Sequence, residues 1–237
     1  SKRRRRLRVA FFSTGDELAS VGAPLGEGQV YDSNRYTLFG LLARLGAEVI
    51  DMGVVRDDPA ALEAAFLSAA TNADAIITSG GVSVGEADFV KQMMAKLGEV
   101  LFWKIAMRPG RPIAFGRIGR AFLFGLPGNP VAVMVTFHQF VRAALLRLAG
   151  RTDPGEVPLL RATAAEAIRK VPGRTEFQRG VLSREPAGEY RVRLTGGQGS
   201  GVLRSMSEAN CYIVLEHDRG RVAAGEAVSV QLFEGLD

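Results

Sequence analysis

Residues 73 to 88 read ADAIITSGGVSVGEAD, and they carry the clearest indication of the fold class. Its first part, Ala73 to Thr78, is a short apolar run of the kind that forms a buried parallel strand. Gly80 and Gly81 then mark a turn, and a helical pattern follows from Phe89. A strand that passes through a glycine turn into a helix is one unit of an open α/β sheet. In such sheets, ligands lie in the crevice beyond the carboxyl ends of the strands.

The same alternation of strand and helix patterns extends from residue 7 to residue 149. Leu38, Leu41, Leu42 and Leu45 give one helix an apolar face, and a last helix is predicted from about Pro130 to Leu148. Residues 7–150 are therefore predicted to form an α/β domain whose mostly parallel sheet is covered by helices on both faces.

The pattern changes after Gly150. The turn-forming segment Arg151 to Gly155 marks a domain boundary, and the short strand-like runs beyond it are separated by glycines. Residues 151–237 are predicted to form a small all-β domain, either a barrel or a sandwich. Residues 1–6 are read as a basic leader or linker.

The composition is that of an ordinary globular protein. The chain has 237 residues, 47% of them hydrophobic, and it contains no run of about 18 apolar residues that would suggest a membrane span. The lone Cys211 excludes an intrachain disulfide and fits a reducing cytoplasm. The net charge of +5 comes partly from Lys2 to Arg6. That run lacks interleaved aromatic residues and any DNA-binding motif, so neither nucleic acid nor a membrane is expected as a partner.

Five polar segments follow apolar strand-like runs and are expected to meet at one ligand site. They offer carboxylates for a hard cation, glycine-rich backbone for phosphate, and fixed guanidinium groups for an anion. This combination predicts a phosphorylated anionic ligand with a divalent ion. The segments are Thr14 to Glu17, Asp32 to Arg35, Ser79 to Asp88, Arg108 to Pro112 and Leu126 to Pro130.

The carboxylates have two readings. Asp16 and Glu17 come directly after the first strand and suit Mg²⁺, which prefers oxygen ligands, although an acidic loop explains them equally well. Asp32, with Ser33, is by default a helix cap, and a ligand role would be an addition. The same reservation applies to Asp57.

The glycine-rich and proline-bounded segments carry the stronger signal. Gly80 and Gly81 exceed what helix capping requires and permit close approach to a phosphate. Ser83 can add a hydroxyl donor, and Asp88 can hold a metal ion or a ribose hydroxyl. Two proline-bounded segments are expected to add rigid groups at the same edge of the sheet. One, which we call the cation loop, is Arg108, Pro109, Gly110 and Arg111, with Lys104 shortly before it. The other is Pro127, Gly128, Asn129 and Pro130.

A serine hydrolase is the weak alternative. Gly81 to Gly85 matches the G-x-S-x-G pattern of a nucleophile elbow, which requires a histidine base within reach. The chain has two histidines. His138 lies among apolar residues on a helix as a core or interface residue, and His217 falls in the β domain with nothing to bring it near Ser83.

The five segments, in this order, resemble those of the molybdopterin molybdenumtransferases, the MoeA family, to which the gephyrin E domain also belongs. The likeness extends to Gly196–Ser200 and Ser205–Asn210 in the β domain. It implies a three-layer α/β/α domain, insertion of molybdate into adenylylated molybdopterin with Mg²⁺-dependent release of AMP, a homodimer, and an upstream adenylyltransferase partner.

The resemblance also implies roles for individual residues. Catalytic roles fall to Asp88, Asp57, Glu17, Arg108 and Arg111, and metal ligation to Asp16, Glu17 and Asp88. Molybdopterin, its phosphates and molybdate would be held by Asp32, Ser33, Gly80, Gly81, Ser83, Lys104, Pro109, Gly110, Pro127, Gly128, Asn129, Pro130, Arg174 and Ser200.

Two departures from the family pattern accompany the resemblance. The family commonly has lysine where Arg108 and Arg111 stand, so the charge is kept while the hydrogen-bond geometry changes. The family also carries two domains upstream, and its active cleft draws on a partner subunit, so this chain is expected to bind ligand without necessarily turning it over. A molybdopterin adenylyltransferase-like enzyme and a gephyrin-like scaffold remain the alternatives.

Overall fold

The centre of the first sheet is built from the apolar runs that the sequence marks as buried strands. The computed structural model describes residues 5–82, 89–153, 157–199 and 203–236. Six strands lie in the order β4-β1-β5-β9-β8-β6, and all of them run in the same direction except β8, which is antiparallel to its neighbours β9 and β6. Their bounds are β1 Arg8–Thr14, β4 Glu48–Val55, β5 Ala75–Ser79, β6 Gly98–Lys104, β8 Pro112–Ile118 and β9 Ala121–Leu126. A two-stranded ribbon, β2 Leu18–Ala19 with β3 Val30–Tyr31, lies beside them.

Helices cover both faces of this sheet, which confirms the three-layer prediction. On one face, Phe66 packs edge-to-face on Phe12, with ring centroids 5.1 Å apart, and both side chains are fully buried. On the other face the predicted leucine stripe, including Leu38 and Leu42, is buried against the strands. The helices are α1 Ser33–Arg44, α2 Pro59–Asn72, α3 Phe89–Leu97, α4 Pro130–Thr136, a π-helical turn Phe137–Val141, and α5 Arg142–Leu148.

Short polar residues set the helix starts. The Asp58 carboxylate accepts a hydrogen bond from the Ala61 N–H at 3.0 Å, with Pro59 next in the chain, as the sequence predicts. Asp32 caps α1 in the same way by accepting from the Arg35 N–H. Asn129 occupies the N-cap position of α4, but its side chain makes no capping hydrogen bond. Its amide therefore remains able to bind a ligand.

The second sheet closes on itself and forms a small barrel, as predicted. Its order is β12-β10-β14-β13-β11-β7, and β12 also pairs with β11. The strands are β7 Met107–Arg108, β10 Leu160–Ala164, β11 Thr175–Arg184, β12 Tyr190–Leu194, β13 Cys211–Leu215 and β14 Ala227–Leu232. The domain also contains a short helix, α6 Arg204–Glu208, and a 3₁₀ turn, Phe233–Gly235, that the all-β prediction omits.

The first part of the chain contributes one strand to this second sheet. Met107 and Arg108 pair in parallel with Thr175 and Glu176 of β11, across the boundary expected near residue 150. Met107 also belongs to a buried cluster that joins the two domains and includes Tyr212. The cation loop is therefore fixed by the β domain at its start and by the α/β domain at its end.

The segment Pro130–Leu148 is one continuous helix with a π-helical turn at its centre. It is the one helix among the described residues with the length and hydropathy of a membrane span. The sequence criterion of about 18 consecutive apolar residues does not detect it. Its most apolar window is 61% buried inside the protein. That burial is typical of a core helix, because both domains pack against it.

His138, on the π-helical turn, lies at the contact between the two domains. It is buried, and its Nδ1 is 2.9 Å from the hydroxyl oxygen of Tyr212 in the β domain. Burial first, and then the charges of Arg142 and Arg44, lower the pKa of His138 to about 3. This confirms the prediction of a core or interface histidine.

We expect His138 to make folding stability depend on pH. Between the ordinary histidine pKa near 6.5 and about 3, the unfolded chain binds a proton that the folded chain does not. Stability should therefore fall with acidification in this window, by up to about 1.4 kcal/mol per pH unit from this group. In urea unfolding at pH 7, 6 and 5, the free energy of unfolding should fall less steeply with decreasing pH for His138→Gln than for the unchanged protein. The exposed His217→Gln should behave like the unchanged protein, and parallel curves for His138→Gln would contradict the assignment.

Candidate functional site

Three parallel strands end side by side and open the first cleft of the site. β1 ends at Thr14, β5 at Ser79 and β9 at Leu126, and the Gly80 N–H donates to the Leu126 carbonyl at 3.0 Å. A cleft of about 470 Å³ lies beyond these ends, which we call the acidic cleft. It brings together these residues predicted for the site: Asp16, Glu17, Asp32, Ser33, Asp57, Gly80, Gly81, Gly128, Asn129 and Pro130.

Carboxylates from three loops meet in the acidic cleft. The Asp57 N–H donates to Asp16 Oδ1 at 3.2 Å, which ties the loop after β4 to the loop after β1. Asp32 is 1% exposed, and its Oδ2 is a buried atom without a hydrogen-bond partner in the described part of the chain. Asn34 also has a buried oxygen without a partner. Its Nδ2 donates to Gly128 O, but its Oδ1 has no hydrogen-bond partner in the described part of the chain. Two buried oxygens are thus available to accept from a ligand.

Glycine makes the floor of the acidic cleft. Gly80 has φ +91°, and a Cβ at that position would be 2.7 Å from the carbonyl oxygen of Thr14. Gly81 also has a positive φ, +73°, and a Cβ there would clash with Val90. These two positions therefore require glycine, as the paired glycines in the sequence suggest.

Two helices begin at this cleft. The N-termini of α1, at Ser33, and of α4, at Pro130, both line it. Unpaired backbone N–H groups and the partial positive charge of a helix N-terminus favour phosphate. The cleft thus presents carboxylates and phosphate-binding helix ends together, which suits a phosphate bound with a cation.

The carboxylates fit magnesium as a partner of substrate phosphates. No group of three acidic, histidine or cysteine side chains close enough to hold a metal ion occurs among the described residues. Mg²⁺ is commonly held by one or two carboxylates together with phosphate oxygens and water, and Asp16, Glu17 and Asp57 are the carboxylates of this cleft that would hold it. Asp88, the third predicted ligand, and Ser83 fall outside the described residues.

The cation loop opens into a second cleft, which we call the basic cleft. It has a volume of about 520 Å³ and lies between this loop and the β domain. Of the predicted residues it contains Arg108, Pro109 and Arg174, and the peptide bond between Arg108 and Pro109 is cis. Its other charged residues are Arg169, Lys170, Glu176 and Arg179.

Arg179 is the most deeply placed cation of the basic cleft and is 1% exposed. Its guanidinium donates to Ser205 Oγ at 3.1 Å and to the carbonyl of Gly199 at 3.2 Å. No carboxylate lies within ion-pair distance of it in the part of the chain that the structure describes. Burial chiefly, with a further contribution from the charge of Arg108, lowers the pKa of Arg179 from its ordinary value. A bound anion would supply the missing counter-charge.

Two of the other cations of the basic cleft already have partners. Arg174 Nε is 3.3 Å from the buried Glu176 carboxylate. The Lys170 ammonium donates to three backbone carbonyls of the β domain, including those of Val171 and Arg219 at 3.0 and 2.9 Å. Arg108, Arg169 and Arg179 are therefore the cations of this cleft without a carboxylate partner among the described residues.

Several predicted residues line neither cleft. Lys104, at the end of β6, and Arg111 have exposed side chains. Gly110 packs on the long helix, where a Cβ would be 2.5 Å from Thr136 Oγ1, and Pro127 is buried. Ser200 lies outside the described residues. The sequence predicted a single pocket. The structure instead has two clefts, and these predicted residues lie outside both of them.

Both clefts nevertheless open near one edge of the first sheet. β6 runs parallel to β9, because each pairs antiparallel with β8 between them. The carboxyl end of β6, from which the cation loop starts, is therefore at the same edge as the ends of β1, β5 and β9. Neighbouring strands are about 4.8 Å apart, so the loop starts about 10 Å from the end of β9.

Sequence reasoning missed Arg179, Arg169 and Gln198 of the basic cleft. Gln198 accepts the Arg179 N–H at 2.7 Å and so joins β11 to the loop that leads to Ser200. The available signal was an arginine within the strand-like run Glu176 to Leu182, where a charged residue needs a reason to be buried. The run alone does not tell which way the side chain points.

Two family models match this chain in succession. Residues 10–147 match a family described as probable molybdopterin binding domain, and residues 161–233 match the MoeA C-terminal region, domain IV. The first match covers more than half of the chain.

Curated relatives match nearly the whole chain. A molybdopterin molybdenumtransferase of Haemophilus influenzae is 47% identical over 98% of this chain and 57% of its own length. One of Nostoc sp. is 38% identical over 95% of this chain and 53% of its own. A solved molybdopterin biosynthesis MoeA protein of Pyrococcus horikoshii is 32% identical, with a TM-score of 0.81 over 97% of this chain and 55% of that one. The chain thus spans a little over half the length of these relatives.

Proposed function

The chain belongs to the family of molybdopterin-binding domains in its MoeA form, and from this premise we propose that it is the molybdate-inserting part of a molybdopterin molybdenumtransferase. In this proposal, adenylylated molybdopterin and molybdate are the substrates, and AMP is released. The observation that carries the proposal is the pair of clefts at one sheet edge, one suited to phosphate with a cation and the other to an oxyanion.

The acidic cleft holds the phosphate end of adenylylated molybdopterin. The N-termini of α1 and α4 bind its oxygens through backbone N–H groups, and Gly80 and Gly81 let the backbone approach them. Asp32 Oδ2 and Asn34 Oδ1, which are buried and unpartnered in the described chain, accept from hydroxyl groups of the nucleotide. Asp88 and Ser83 lie outside the described residues, and their proposed part in binding this substrate rests on their match to the family motif.

Magnesium fits the same cleft through Asp16, Glu17 and Asp57. When bound, it neutralises the charge that develops on the pyrophosphate. The backbone N–H of Asp57 donates to Asp16 Oδ1, so the protein positions the Asp16 carboxylate beside the loop that carries Asp57. Arg35 and Asp51, 2.8 Å apart, brace the start of α1 beside them.

The basic cleft holds molybdate. Arg108 and Arg179 offer planar guanidinium groups that match the spacing of oxyanion oxygens. Burial chiefly, and the charge of Arg108 to a smaller extent, lower the pKa of Arg179, and a dianion between the two arginines offsets both effects. Lys104 and Arg111 add positive charge near the loop, and Arg174 lies on the β-domain side. Ser200 is assigned to molybdate by its match to the family motif alone.

Assembly and location follow the family. The molecule acts as a homodimer in the cytoplasm, in which the partner subunit and upstream domains close the clefts. A molybdopterin adenylyltransferase-like activity is the alternative, because that reaction also needs a phosphate cleft, but it gives no role to the basic cleft.

The test is direct supply of substrates to the purified chain. Adenylylated molybdopterin with molybdate and Mg²⁺ should yield AMP and molybdenum-loaded cofactor, either from the chain alone or after adding in trans the part of a longer relative that this chain does not span. Molybdopterin with ATP should yield no adenylylated product. Adenylylation without molybdate-dependent AMP release would favour the alternative, and tight binding of both substrates without turnover in either format would favour a scaffold.

A further inference from the structure

A third cavity among the described residues lies at the opposite end of the sheet from both clefts. It has a volume of about 860 Å³ and lies at the amino ends of the parallel strands, where β1 begins at Arg8 and where Asp74 precedes β5. A seven-residue strand rises about 3.3 Å per residue, so this cavity is about 20 Å from the acidic cleft. It is therefore a separate site.

Guanidinium groups dominate the walls of this cavity. Five arginines and one carboxylate, Asp74, line it: Arg5, Arg6, Arg8, Arg117 and Arg120. Arg5 makes a two-pronged ion pair with Asp74, whose other contact is the Arg8 N–H at 2.9 Å. The single carboxylate of the cavity is thus already neutralised by Arg5.

The side chain of Arg8 is also occupied. Its Nη1 donates to the carbonyl of Asn72 at the end of α2, and its Nε is 3.4 Å from Glu48. This pairing accounts for one arginine as a partner of a helix C-terminus. It does not account for the remaining three.

Arg6, Arg117 and Arg120 have no carboxylate within ion-pair distance in the described ranges. Glu99 lies opposite Arg117 in the β6–β8 ladder without forming an ion pair with it. The Arg117 guanidinium lies 4.5 Å from the ring centroid of Phe122, which holds its plane in place. Arg117 and Arg120 bracket the tight turn between β8 and β9, so their spacing is set by the backbone.

We infer that this arginine-lined cavity is a second anion site that binds a small molecule carrying a chain of phosphate groups. Three guanidinium forks facing one cavity of this size exceed what one phosphate can satisfy, whereas two or three linked phosphates can engage all of them. The ring of Phe122 is in contact with Arg117 on one face and stacks with the ring of Phe115, whose centroid is 6.4 Å away, so both of its ring contacts are made within the protein. Recognition therefore rests on the phosphate chain.

The test is titration calorimetry of the chain with inorganic tripolyphosphate, without Mg²⁺, at about 0.15 M NaCl so that diffuse attraction is screened. The double variant Arg117→Gln/Arg120→Gln should weaken the binding of tripolyphosphate by about tenfold or more. Arg191→Gln/Arg193→Gln, which removes two exposed arginines from strand β12, should leave it unchanged, as should Arg108→Gln in the basic cleft. If Arg191→Gln/Arg193→Gln weakens tripolyphosphate binding equally, the attraction comes from net charge and the inference is wrong. The inference is also wrong if Arg108→Gln alone removes tripolyphosphate binding.

Hydrogen exchange supplies a second readout that does not depend on a variant that folds. Tripolyphosphate should slow exchange at the turn between Arg117 and Phe122 and at residues 70–74. Arg6→Gln, at an exposed position before β1, should weaken this protection. Unchanged exchange at both places would overturn the inference. A titration with ATP distinguishes a nucleotide from a free phosphate chain as the ligand. Equal affinities for ATP and tripolyphosphate indicate that the phosphate chain alone is recognised, and a higher affinity for ATP indicates a nucleotide.

Discussion

Arg179→Met is expected to lower the free energy of unfolding by about 2–4 kcal/mol and to weaken molybdate binding by about tenfold or more. The guanidinium donates to Ser205 Oγ and to the carbonyls of Phe177 and Gly199. Methionine fills a similar volume but leaves these buried acceptors without a donor. It also removes a cation of the basic cleft that has no carboxylate partner among the described residues. Chemical denaturation and calorimetric titration with molybdate measure the two effects.

Two further variants separate the causes of this effect. Arg191→Met removes one exposed arginine from the same barrel and should change neither quantity, which excludes net charge as the explanation. Arg179→Lys keeps the charge but loses the planar fork, so it should recover part of the molybdate affinity and little of the stability. Unchanged molybdate affinity in Arg179→Met would remove Arg179 from the anion site.

Gly80→Ala is expected to lower the melting temperature by roughly 6–12 °C, from a loss of about 3 kcal/mol. Part of this loss is the cost of a side chain at φ +91°. The rest arises because the new Cβ would be 2.7 Å from the carbonyl oxygen of Thr14, so the loop from Thr14 to Glu17 must move. Binding of AMP with Mg²⁺ should weaken together with stability, since that loop carries Asp16 and Glu17.

Gly53→Ala is the matched control for this prediction. Gly53 also has a positive φ, +75°, but a Cβ there would meet nothing within 4 Å. It should therefore show only the conformational cost, about 1 kcal/mol or roughly 2–4 °C. If both variants melt at the same temperature, the close approach of Gly80 to Thr14 has no energetic importance.

The fold was predictable because its determinants are local. The run Ala75 to Ile77 is apolar without alternation, as a strand buried on both faces must be, and the leucine stripe of α1 has the helical period. The start of α2 could be read from Asp58 and Pro59 for the same reason. The family was predictable because the five polar segments keep their order and composition, and the matching family models confirm it.

The division of the site into two clefts was not predictable from local patterns. It depends on Met107 and Arg108 leaving the first sheet to pair with β11, a contact 68 residues away in sequence. The same pairing directs Arg108 toward Arg179. A dipeptide strand has no periodicity, so nothing in residues 104–112 indicates which sheet it joins. Arg179 was missed for a related reason, because its importance comes from burial in the closed barrel.

The measurement that tests the account most directly is a pair of titrations on two variants, one from each cleft. Asp57→Asn should weaken AMP binding in the presence of Mg²⁺ by about tenfold and leave molybdate binding within about twofold of the unchanged protein. Arg108→Gln should do the reverse. If either variant weakens both ligands equally, the two clefts do not divide the phosphate and the oxyanion between them, and the proposed arrangement is wrong.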